Sequence, residues 1–165
     1  MTSRIVNAIA KSAVCMLLSS TQVAYAELDR TKLPGLVKGL AEVSFTSSSN
    51  EIWSFVDAVK PYRGLAVIEI CNYAANLDRN EKLPSEIKDA QLSNLSLCLK
   101  KLIDTNPAVL STMADTDSEH LKVLVILTAV QLTKPKWKLI EKLTKDRSAR
   151  VKEIAISFLK DRNSY

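Results

Sequence analysis

Glycine is almost missing from this chain. Three glycines and five prolines in 165 residues supply far fewer tight turns than a β-rich protein of that length requires. Leucine, alanine and lysine are abundant instead, and all three are good helix formers. The fold class expected is all-α, an irregular multi-helix bundle.

Prolines and polar caps mark where the helices start and stop. Pro34 suits a first helical turn, where its missing N–H would be unpaired anyway. Leu33, Leu36, Val37, Leu40 and Ala41 follow at the i, i+3, i+4, i+7 spacing of a helix burying one face. The polar run 46–50 reads as a loop ending in a cap, and a helix with Ile52, Trp53, Phe55, Val56 and Val59 runs to Pro61. A third helix over about 62–77 is apolar on more than one side, which predicts a central element. A fourth follows Pro84 and spans about 85–104. Pro107 opens a short helix to Met113.

The run Asp115-Thr116-Asp117-Ser118 is a dense cap region, with Glu119 suited to the positive end of a helix. Residues 120–132 are nearly continuous apolar and rich in β-branched side chains, so a strand is the rival reading. The preceding cap and the helical context favour a buried helix.

The last forty residues carry a family resemblance. Trp137-Lys138-Leu139-Ile140-Glu141-Lys142-Leu143, the turn Lys145-Asp146-Arg147-Ser148, and Val151-Lys152-Glu153-Ile154-Ala155 with Phe158-Leu159 resemble a HEAT repeat. The resemblance covers residues 137–160. It implies Asp146 capping the second helix, Val151 and Ala155 packing it on the first, and Lys152 facing water. It also implies, as an alternative to the irregular bundle, a short HEAT-like right-handed helical array.

Residues 1–26 read as a secretory signal peptide cleaved after Ala26. They hold Arg4 and Lys11 and no acid, then an apolar stretch, then Ala24-Tyr25-Ala26 with small residues at both specificity positions. Export to the periplasm or medium is the expectation. A mitochondrial transit peptide is the alternative, since Arg4, Asn7 and Lys11 fall near one helical face. Lipoprotein processing at Cys15 is disfavoured, because Val14 is not the small residue such a site needs. Removal of 26 residues leaves 139, enough for a single all-helical domain over 27–165. No later segment approaches the ~20 apolar residues of a membrane span.

Cleavage leaves 21 Lys and Arg against 18 Asp and Glu, a net charge of about +3. Nucleic-acid binders show a basic stripe and a high pI; here acids interrupt the cations, so no nucleic-acid partner is expected. Lys138, Lys142, Lys145 and Arg150 form the candidate basic face for a partner.

Cleavage also removes the odd cysteine. Cys71 and Cys98 remain, on consecutive helices, and an even pair in an exported chain is a disulfide candidate. A loop of about 27 residues would give roughly 3–4 kcal/mol in the chain-entropy model. Two buried thiols packed as small hydrophobes are the alternative.

Little in the chain points to catalysis. The single histidine, His120, sits beside a helix cap and reads as structural or surface. Gly35, Gly39 and Gly64 lack the spacing of a phosphate loop, and no His, Cys or acid cluster has metal-ligand spacing. Neither cofactor nor enzyme activity is expected. Asn94-Leu95-Ser96 matches a glycosylation acceptor but lies mid-helix. Trp53 and Trp137 could anchor a partner, although their core-like spacing predicts burial. The functional expectation is an exported helical protein-binding module, in one version a periplasmic inhibitor or immunity-type protein, acting on another protein or a second copy of itself. A carrier of a small apolar ligand between helices is the alternative.

Overall fold

The computed structural model describes residues 28–44 and 49–162. The expected leader, its cleavage point and residues 46–48 of the expected loop lie outside them.

The described residues form an all-helical protein with no strand among them: α1 (Leu33–Glu42), α2 (Ser49–Val59), α3 (Gly64–Leu77), α4 (Ser85–Ile103), α5 (Val109–Ala114), α6 (Glu119–Gln131), α7 (Trp137–Leu143) and α8 (Ala149–Lys160). Short 3-10 turns at Arg30–Lys32 and Lys60–Tyr62 precede α1 and α3. Pro34 stands in the first turn of α1 as expected. Pro84 stands at the N-cap of α4, directly before its first residue.

The arrangement is centred on α4 and α6, which pack on each other more extensively than any other pair. Around them, α6 also contacts α3, α5, α7 and α8, while α4 contacts α1, α2 and α3. The run over 120–132 is thus a helix and not a strand. Ser118 supplies the cap, its hydroxyl accepting from Leu121 N at 3.1 Å. Leu124, Val125, Ile126 and Ala129 are completely buried, so α6 has no solvent stripe. Each leucine or isoleucine buried this way contributes about 1.5–3 kcal/mol relative to exposure.

Two backbone positions show what close packing demands. Gly39 of α1 lets the ring of Phe55 approach so closely that a Cβ there would lie 2.5 Å from Phe55 Cε1. Arg63 enters α3 at φ 48° and ψ −117°, a conformation that suits glycine and costs a side-chain-bearing residue about 1–3 kcal/mol. It turns the chain sharply from Pro61 into the core helix.

Asn94 has a use that its tripeptide did not reveal. It is buried in α4, and its amide nitrogen donates to the carbonyls of Ala41 at 3.1 Å and Val43 at 3.0 Å. It thereby satisfies acceptors left open at the C-terminal end of α1.

The disulfide expected between Cys71 and Cys98 is not formed: both are free, buried thiols. Each packs in the apolar core as a small hydrophobe, the alternative anticipated for them. Burial pushes both thiols up to about 12.

Within residues 137–160, α7 and α8 pack as a pair. Val151 and Ala155 are fully buried. The cap differs from the expected one. Ser148, not Asp146, accepts from Val151 N at 3.2 Å, and Asp146 accepts from Ser148 N at 2.9 Å. Asp146 is occupied because it also receives Lys122 Nζ at 2.6 Å.

Candidate functional site

The two ends of α6, about 20 Å apart at 1.5 Å per residue, carry different assemblies. At the N-terminal end His120 is only 6% exposed. Its Nδ1 contacts Asp78 Oδ1, which also accepts the His120 backbone N–H at 3.2 Å. Its Nε2 lies 3.1 Å from Arg150 Nη1. A guanidinium can only donate, so Nε2 accepts and the imidazole proton sits on Nδ1.

Arg150 also donates to Glu119 at 3.2 Å and pairs with Asp89, while Ser148 Oγ donates to Glu119 at 2.6 Å. Burial raises the Asp78 carboxyl, but hydrogen bonds from the His120 ring, from Ser118 and from the His120 amide outweigh it, leaving it below its ordinary value. Both ring nitrogens are engaged, and a general base needs one within reach of a substrate proton. The cluster therefore works as a tie between α3, α4, α6 and α8. A lone histidine beside a cap announced nothing of Asp78, Asp89 or Arg150 as its neighbours.

At the C-terminal end α6 stops at Leu132, and Pro135 cannot continue it. The turn is held from two sides. Lys136 N donates to Ala129 O at 3.1 Å. Asp104, at the end of α4, accepts from Thr133 N at 3.2 Å and Thr133 Oγ1 at 2.7 Å.

Beside this turn lies a groove of about 750 Å³. One wall is Asn106, Pro107, Ala108 and Ser111; the other is Pro135, Lys136, Trp137, Lys138, Leu139 and Glu141. A smaller hollow of about 320 Å³ shares Pro107 and Lys136 and adds Leu132 and Lys134. Trp137 is half-buried, with the Arg162 guanidinium 5.9 Å from its ring centre. Arg162 also lies 3.7 Å from Glu141. The floor is thus apolar and aromatic, and its rim is basic. Among the described residues Lys134, Lys136 and Lys138 have no carboxylate within salt-bridge distance, whereas Asp104 is taken by Thr133 and Glu141 by Arg162.

The four cations proposed from sequence have different surroundings. Lys138 lines the groove. Lys142 is paired with Asp115 at 2.7 Å, Arg150 belongs to the His120 cluster, and Lys145 is exposed. Of the two tryptophans, Trp53 departs from the burial expected of it, and Trp137 meets it only in part, packing against the core with one side. Trp53 is 41% exposed with Lys101 Nζ 5.5 Å from its ring, and Trp137 faces the groove. Periodicity placed them on the correct helices but could not see that, among the described residues, no further helix covers the N-terminal end of α7.

Among the described residues no group of three or more His, Cys, Asp or Glu side chains could hold a metal ion, and no helix is long and apolar enough to cross a membrane. Comparison with family models, curated proteins and solved structures found no match to this chain.

Proposed function

We propose that the chain is an exported helical protein-binding module that docks another protein at the Trp137 groove. One observation carries this reading: an apolar, aromatic floor is ringed by three lysines that have no carboxylate within salt-bridge distance among the described residues. A lysine without a partner at a rim costs little in water and is ready to meet a partner's charge. Tryptophan is enriched among residues that dominate binding energy. Helix pairs such as α7–α8 commonly work by presenting a surface.

The finer version is an inhibitor or immunity-type protein of the periplasm, with export resting on the leader in residues 1–26. The ligand-carrier reading has no comparable support, since residues 123–130 of α6 are packed almost throughout in the core.

The test is differential capture from the periplasm or medium of the source cells. The native chain should retain a specific protein that Trp137→Ala releases while remaining folded. Identical retention by both would contradict docking at this groove.

A further inference from the structure

The charge and shape of the groove also specify what kind of segment enters it, an inference resting on the docking reading above. We infer that the occupant is an acidic segment of a partner protein carrying an aromatic or large aliphatic residue among its carboxylates.

The apolar residue has a defined seat. Trp137, Pro107, Pro135 and Leu139 present an open apolar surface with room for a few side chains. The carboxylates have defined partners on the rim. Lys134, Lys136 and Lys138 project from one short stretch that crosses from the turn into α7.

Arg162 gives the site a fourth cation that is held loosely. Its pairing with Glu141 is 3.7 Å long between two half-exposed side chains, and its guanidinium rests over Trp137. An exposed pair of this kind contributes about 0–1 kcal/mol. An incoming carboxylate can therefore take Arg162 from Glu141 at little cost and fold the guanidinium over the bound residue. A nucleic acid fits less well. Single strands need a basic track with successive stacking platforms, whereas here one tryptophan lies in a short groove and Asp104 and Glu141 stand at its edges.

The test uses a fluorescein-labelled short peptide alternating glutamate with phenylalanine and leucine, read by anisotropy. Its glutamine counterpart and a short single-stranded oligonucleotide serve as comparison probes. The glutamate peptide should bind and weaken markedly between about 0.05 M and about 0.5 M salt, as screened rim charges require. Trp137→Ala should lower affinity about thirtyfold, the loss expected of a tryptophan worth about 2 kcal/mol. Replacing the three lysines by glutamine should cost about tenfold and flatten the salt dependence. Ser111→Glu and Ser111→Lys, at an exposed wall position, should respectively weaken and strengthen binding without touching the core.

Equal affinity for the glutamine peptide, or tighter binding of the oligonucleotide, overturns the inference. If the peptide fails while capture of a protein still depends on Trp137, the acidic specificity falls and the docking reading stands. If capture also ignores Trp137, both fall.

Discussion

The Nζ of Lys122 lies 2.6 Å from Oδ2 of Asp146, and both side chains are nearly buried, at 7% and 10% exposure. The pair joins the middle helix of the protein to the turn between α7 and α8, and hence fixes the pair of helices that carries the groove. Removing one partner from a buried ion pair strands the other charge and costs about 3–5 kcal/mol. Asp146→Ala should therefore lose about that much in urea denaturation. The double replacement Lys122→Met with Asp146→Leu should recover most of it. A double variant no more stable than the single would show that the two residues act independently.

The same carboxylate sets a pH dependence. Burial raises Asp146, but the hydrogen bond from Lys122, the Ser148 amide and the charges of Lys122 and Arg147 outweigh it, leaving it below its ordinary 3.8. Asp78 is lowered likewise. A carboxyl more acidic in the folded than in the unfolded chain adds stability above its unfolded value, and that contribution is lost as the pH falls through the folded value. The deficit of Asp146→Asn relative to the native chain should be largest near pH 7 and shrink below about pH 4. A deficit that stays constant down to acid unfolding would be inconsistent with this origin.

Asn94 joins α4 to the end of α1 through two carbonyls. Asn94→Ala leaves both acceptors in a buried setting without their donor, at about 1–3 kcal/mol, again read from the denaturation midpoint. Asn94→Asp should be at least as damaging, because a carboxylate cannot donate to either carbonyl. If the asparagine instead carried sugar on the folded surface, both substitutions would be nearly neutral in unglycosylated protein.

Cys71 and Cys98 are buried and pushed up to about 12, so neither offers thiolate near neutral pH. A thiol reagent should label the native protein slowly and the unfolded protein at once. Two thiols in the unfolded, unreduced chain would match cleavage after Ala26, and three would mean that Cys15 is retained. None would restore the disulfide.

Legibility in the sequence followed the range of the interactions. Helix positions were readable because caps and prolines act within a turn of the residue they control: Ser118 before α6 and Pro34 in α1 are local signals. Trp137 through Leu143 was placed to the residue. The pairings were not readable. Asn94 serves carbonyls more than 50 positions earlier, and Arg150 meets Asp89 61 positions away. The surroundings of the candidate basic face were unreadable for the same reason, since Lys142 and Arg150 pair with acids on other elements. The groove is lined by two stretches far apart in the chain, around Pro107 and around Trp137, and no local pattern records their meeting.

Site-specific photocrosslinking reads most directly whether a protein partner sits over Trp137. A photoreactive residue at Ser111, exposed on the groove wall, should give one discrete adduct in the source compartment. The same probe at Asp57, exposed on α2, which packs against α1 and α4, should give none. An adduct from Asp57 with none from Ser111 would contradict the account and move the binding surface elsewhere.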